Sequence, residues 1–349
     1  MPTKELVYDK FPAEKKSCSA RLRRWTRFWT QKFNTIEGDK AIPLQQSYLE
    51  SGRFQYEKML DYLKERNNRK AERTSKKAMN YFARVIQINN DAPEAIKTNT
   101  GNPEAHLALG KLYLAQKDFR DAACHFRKSM ENGKGNESKE AYFGLGKSVR
   151  GLGNYGEATS YFESSLEAKY FENPLYSHDC SEKQISIALS NAYLELGIRQ
   201  DEKKNSTKAG EYYNKAVNAN SDNADAFYSR AMHHYSRYRI LKEIHIQKPD
   251  KVSLKSAYED LKTAINLGMD DPNPISIFAE LCIETGSYNE AIENFKKILD
   301  DKPFEKIAKE SIAFCYHKLG DEKNAKEWME KAGLMRIVSP RFFPGSIID

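Results

Sequence analysis

A unit of roughly 34 residues that returns along most of the chain constrains its fold more than any other feature. Between Pro272 and Pro303, Phe278-Ala279 falls on a first helix and Thr285-Gly286 turns the chain. Tyr288, Ala291, Phe295 and Ile298 mark a second helix, which Pro303 is expected to stop. One helix pair cannot bury its apolar face alone, so each copy must stack on its neighbours. The expected result is an all-α array with an extended concave face.

Numbering each copy from its first residue exposes the physical constraints. The eighth place is small in every copy: Gly110, Gly146, Ser190, Ala231, Ala279 and Ala313. The twentieth is always alanine: Ala122, Ala158, Ala209, Ala257, Ala291 and Ala325. Small residues at both places let the two helices of a pair approach closely. Tyr113, Phe126, Phe162, Tyr213 and Phe295 fill the gaps between repeats. Leu152-Gly153, Leu196-Gly197, Thr285-Gly286 and Leu319-Gly320 suit a left-handed residue at the end of a first helix. An early, degenerate copy ends at Ala78, Phe82 and Val85.

This array resembles the tetratricopeptide-repeat family over about residues 100–335. The resemblance implies a right-handed α-solenoid of about six to seven helix hairpins. The expected organisation is a basic aromatic extension (1–40), a degenerate first repeat with long helices (41–100), the array (101–335) and an apolar tail (336–349). Two copies are lengthened, near 198–208 and 236–253. The first insertion reads as a longer loop or longer helix ends. In the second, Ile240, Leu241, Ile244 and Ile246 extend the first helix by about two turns before Pro249.

In the family, the second, fifth, ninth and twelfth places of each copy line the concave face. Carried over, Lys111, Phe143, Lys147, Arg150 and Asn191 make a basic-polar stretch, and Tyr228, Met232 and Tyr235 an aromatic one. Glu280 and Glu310 make an acidic end. A sign change along one groove suits an extended peptide or a helix of opposite charge order. Some members grip the C-terminal carboxylate of chaperones. Here Gly144, Ala188 and Gln184 stand at places that constellation needs, so a chaperone-tail receptor is disfavoured.

Charge is uneven. The formal net charge is +7, yet residues 1–77 alone carry nineteen Lys/Arg against ten Asp/Glu, which leaves the remainder slightly acidic. Leu22, Trp25, Trp29 and Phe33 share one helical face, with Arg21, Arg23, Arg24, Arg27 and Lys32 beside them. Three readings stay open for this segment. It caps the first repeat, it docks on another protein or on a second copy of the chain, or it binds an anionic membrane surface or nucleic acid. In the tail, Phe342 and Phe343 either cover the last helix pair or insert into a partner.

No run approaches the ~20 apolar residues of a membrane span, and the N-terminus lacks a secretory pattern. The five cysteines are scattered, as in a reducing compartment. The expected location is the cytoplasm, including the periphery of a membrane-bound complex. No phosphate-binding glycine loop is found, and His178 with Cys180 or His233-His234 lacks a second ligand pair. The expectation is a non-enzymatic scaffold or adaptor for protein partners, with no cofactor and no metal. An RNA-associated protein using the Arg/Trp segment is the alternative.

Overall fold

A computed structural model of the chain describes residues 38–91, 102–131, 139–168, 180–243 and 251–334. Among these residues there are fourteen α-helices and no strand. The helices pair in order as seven hairpins. They are α1 (Gly38–Lys64) with α2 (Asn68–Asp91), α3 (Pro103–Ala115) with α4 (Phe119–Glu131), and α5 (Lys139–Gly151) with α6 (Tyr155–Glu167). Then come α7 (Glu182–Glu202) with α8 (Ser206–Ala219), and α9 (Ala224–Glu243) with α10 (Lys251–Asn266). The last are α11 (Pro272–Thr285) with α12 (Tyr288–Lys297), and α13 (Lys302–Lys318) with α14 (Glu322–Lys331). The fold is all-α and of the helical-solenoid class. None of the described helices is long and apolar enough to cross a membrane.

Burial confirms the repeat register. The six alanines at the twentieth place are all at 0% exposure, and Ser190, Ala231, Ala279 and Ala313 are at 1% or less. Where the eighth place is glycine, an aromatic ring lies against it. A Cβ on Gly110 would sit 2.8 Å from the Phe126 ring, and one on Gly146 would sit 2.6 Å from the Phe162 ring. Contact this close is what the small residue permits.

Helix ends are set by local chemistry. The Asn102 side chain accepts a bond from the Ala105 amide at 3.0 Å, and Asp321 accepts one from the Asn324 amide at 3.1 Å. Gly153, Gly286 and Gly320 take φ of 83°, 81° and 78° at the turns, as the sequence implies.

Two expectations need correction. Pro303, read as a stop for the preceding helix, lies in the first turn of α13, as Pro103 and Pro272 do in α3 and α11. A proline there gives up an amide that has no intrahelical partner anyway. Leu196-Gly197 is also not a turn. α7 runs on to Glu202, a Cβ on Gly197 would sit 2.5 Å from the Tyr213 ring, and the left-handed residue is Lys204 with φ 58°.

The chain divides into two compact units, residues 1–185 and 186–349. In the first, Leu49, Met59, Ala78, Phe82 and Val85 form one core with Ala105, Leu109 and Leu112 of α3. The degenerate early copy is therefore a full hairpin that stacks on the next. In the second, Ala231, Leu261, Phe278, Phe295 and Ile312 belong to one continuous core across α9 to α13.

Candidate partner-binding site

In the second unit, α9 and α11 form two walls of a cavity of about 760 Å³. α9 supplies Tyr228, Met232 and Tyr235, spaced by four and three residues and so on one helical face. α11 supplies Asn273, Ser276, Ile277 and Glu280 by the same spacing rule. The Tyr235 hydroxyl donates to Glu280 Oε2 at 3.3 Å, and one turn on, the Tyr238 hydroxyl donates to Glu284 Oε2 at 3.1 Å. These bonds tie the two walls together.

Electrostatics inside the cavity follow from burial. Loss of water pushes the Glu280 carboxyl up to about 7, although the Tyr235 hydroxyl and the Arg239 guanidinium both favour its ionised form. Burial, then the neighbouring Glu280 charge, raises the Tyr235 hydroxyl well above its ordinary value. Burial and then Asp271 raise Tyr228 in the same direction. The Arg239 guanidinium lies over the Tyr235 ring, 5.9 Å from its centre. Near the mouth, the Tyr213 hydroxyl donates to Asp201 Oδ2 at 2.7 Å, and His233 Nδ1 is 3.3 Å from Asp201 Oδ1. Asp201 is there because α7 continues through Gly197. Ile240 on the lengthened part of α9 is 59% exposed at the rim.

The structure thus brings Tyr228, Met232 and Tyr235 together, with Glu280 facing them. Asn191 stands elsewhere in this unit, its Oδ1 accepting from Asn223 Nδ2 at 2.9 Å. Glu310, on α13 of this unit, does not line the cavity, and the other groove residues named from sequence belong to the first unit. There Lys111 is ion-paired with Glu140 at 2.9 Å, so its charge is matched within the stack. Phe143 is 5% exposed and packs on Phe162, with ring centres 5.8 Å apart, while Lys147 Nζ covers its outer face at 4.5 Å. Phe143 is therefore a core residue beneath a lysine. Arg150 is half-buried near the end of α5. The N-terminal set Arg21, Arg24, Trp25, Arg27, Trp29 and Phe33 and the tail pair Phe342 and Phe343 lie outside the described residues.

Sequence reasoning missed Asp201, His233, Arg239 and Ile277 as parts of this cavity. Asp201 sat in a stretch read as an insertion, and His233 falls between the places that were counted. The one available signal was the charged, unbroken run after Gly197, which suits a helix as well as a loop.

Models described as tetratricopeptide repeat match residues 107–171 and 309–332. These two stretches carry tetratricopeptide repeats. No curated protein matches it significantly. Among solved structures, the repeat protein is similar to PilF of Pseudomonas aeruginosa, at 14% identity over 84% of this chain and 99% of that one, with a TM-score of 0.40. PilW, a type IV pilus biogenesis factor, gives 16% identity over 72% and 94%, with a TM-score of 0.39. YrrB, a tetratricopeptide-repeat protein with an unusual peptide-binding site, gives 16% over 64% and 92%, with a TM-score of 0.35.

Proposed function

We propose that this protein is a non-enzymatic scaffold or adaptor that holds a segment of a partner protein in the cavity between α9 and α11. The carrying observation is the 760 Å³ cavity with Tyr228, Met232 and Tyr235 half-buried on its wall. Its volume falls in the range of ordinary ligand sites, ~300–1,000 Å³. Half-buried aromatic side chains have few rotatable bonds to fix on binding, and such aromatics often dominate interface energies. Met232 adds an adaptable apolar surface.

A role without catalysis fits the state of the reactive groups. Burial pushes the Cys180 thiol up to about 11 and the Cys315 thiol up to about 12, which leaves both protonated and poor nucleophiles at neutral pH. Burial also lowers His106 to about 4 and His125 to about 3, so both are neutral inside the first unit. Within the reading, the protein works in the cytoplasm, and its basic N-terminal segment offers a second contact for the assembly, including one at a membrane surface.

The test is replacement of Tyr228, Met232 and Tyr235 together by alanine. Proteins that co-purify with the wild-type chain from its native extract should be lost, while far-ultraviolet circular dichroism keeps its helical intensity. Unchanged co-purification by a folded triple variant would remove this site. A wild-type chain that is solitary in its native extract would remove the adaptor role.

A further inference from the structure

We infer that the cavity between α9 and α11 selects a lysine or arginine side chain of the bound segment, with Glu280 as its counter-charge and Tyr228, Met232 and Tyr235 against its aliphatic stem. This deepens the proposed function and rests on it.

The cavity is aromatic on one side and carries a carboxylate on the other, and that combination fits a long side chain that is apolar along its stem and cationic at its tip. Glu280 lines the cavity from α11. Among the described residues, Tyr235 is the one side chain that hydrogen-bonds it, at 3.3 Å. A carboxylate accepts up to about four hydrogen bonds, so one phenol leaves acceptor capacity facing the cavity. Arg239 is near enough to favour ionisation but lies over the Tyr235 ring, and the Glu280 carboxyl stays raised in spite of it. Tyr235 and Arg239 together do not offset the water this carboxyl has lost. An incoming ammonium or guanidinium would add a charge-assisted bond to a carboxylate that burial has already desolvated, where such bonds are stronger than in water. An anionic side chain would meet Glu280, whose carboxyl already feels the Glu284 charge, and Asp201 on the same cavity. Besides Tyr228 and Tyr235, the remaining charged or titratable groups on the cavity are Tyr213, His233, Arg237 and Arg239.

The test uses random 12-residue peptides displayed on phage, selected on the wild-type chain and counter-selected on the Tyr228/Met232/Tyr235 triple-alanine variant. Retained peptides should share a lysine or arginine. Its replacement by norleucine or citrulline should weaken binding at least tenfold by fluorescence polarisation. Glu280→Gln, which keeps the shape, should produce a similar loss and remove the preference for the cation. Binding of the cationic peptide should fall about fivefold from pH 7 to pH 6, as the ionised fraction of Glu280 drops from about a half to about a tenth. The same pH step in Glu280→Gln isolates this effect from that of His233. Peptides that survive counter-selection but tolerate norleucine and Glu280→Gln would overturn the cation preference and leave the adaptor reading standing. If no peptide survives counter-selection, the cavity is not a peptide site and both fall.

Discussion

Phe126 provides a sharp test of the packing argument. Its ring is fully buried between two glycines on different helices. A Cβ on Gly110 of α3 would lie 2.8 Å from the ring, and one on Gly144 of α5 would lie 2.3, 2.4 and 2.7 Å from three of its atoms. A ring held on both sides cannot step aside for either. Gly144→Ala should gain up to ~1 kcal/mol of helix propensity and lose about 3 kcal/mol to overpacking, the upper part of the usual range. The net cost is about 2 kcal/mol. Gly156 in α6 is the control, because a Cβ there meets nothing within 4 Å. Gly156→Ala should raise stability by about 0.5–1 kcal/mol. Urea unfolding followed by circular dichroism reads both as midpoint shifts at constant slope. Phe126→Leu should cost less in the Gly144→Ala background than alone, with a coupling of about 1 kcal/mol or more. If Gly144→Ala stabilises the protein as Gly156→Ala does, the ring is not pinned and the account of the small residues is wrong.

Three further outcomes follow from buried polar groups. Arg230 grips Asp260 with two bonds of 2.7 and 2.6 Å, and the Asp260 side chain is 8% exposed, so Asp260→Ala should cost about 1–3 kcal/mol in the same unfolding assay by leaving the part-buried guanidinium with Asn214 as its remaining hydrogen-bond partner among the described residues. His106 and His125 share an Nδ1···Nδ1 contact of 2.9 Å, and their depressed values mean that the unfolded chain binds more protons below about pH 6.5; stability is then lost as pH falls, by about 2 kcal/mol per histidine at pH 5, and the His106→Leu/His125→Leu double variant should lose this sensitivity. Glu280 has the opposite sign, since a folded value near 7 against 4.5 unfolded stabilises the acid form and loses that contribution as pH rises through 7; Glu280→Gln should therefore gain on the wild type between pH 5 and pH 8, by up to about 3 kcal/mol, read as diverging thermal midpoints.

Much of the fold was legible because the repeat rule acts locally and many times over. A buried alanine such as Ala158 or Ala291 has one physical reason, and it recurs at a fixed interval, so its pattern survives in the sequence. Helix ends were less legible. Gly197 looks like Gly153 in sequence, but one faces the Tyr213 ring inside a helix and the other turns the chain with φ 83°. Only the partner ring distinguishes a glycine needed for close approach from one needed for a left-handed turn. The bonds from Ser129 Oγ to the Pro103 carbonyl and from Ser165 Oγ to the Lys139 carbonyl, both 2.7 Å, repeat between hairpins yet leave no pattern that single residues reveal.

The site was legible by halves. The places carried over from the family resemblance pointed to Tyr228, Met232 and Tyr235, and they also pointed to Phe143, which burial removes from the surface. A place count cannot tell a ring covered by its neighbour Lys147 from one left open. The charge match of Lys111 with Glu140 was likewise hidden, because it joins helices 29 residues apart in sequence.

The central claim is that partner segments bind at the α9–α11 cavity, and the Met232 methyl group reports on it directly. With ¹³C-labelled methionine methyls, titration with a co-purifying partner or a selected peptide should shift and broaden the Met232 resonance saturably, with the midpoint of the binding isotherm. Met329 on α14, outside the cavity, should not move. Saturable binding that leaves Met232 unchanged would contradict the account.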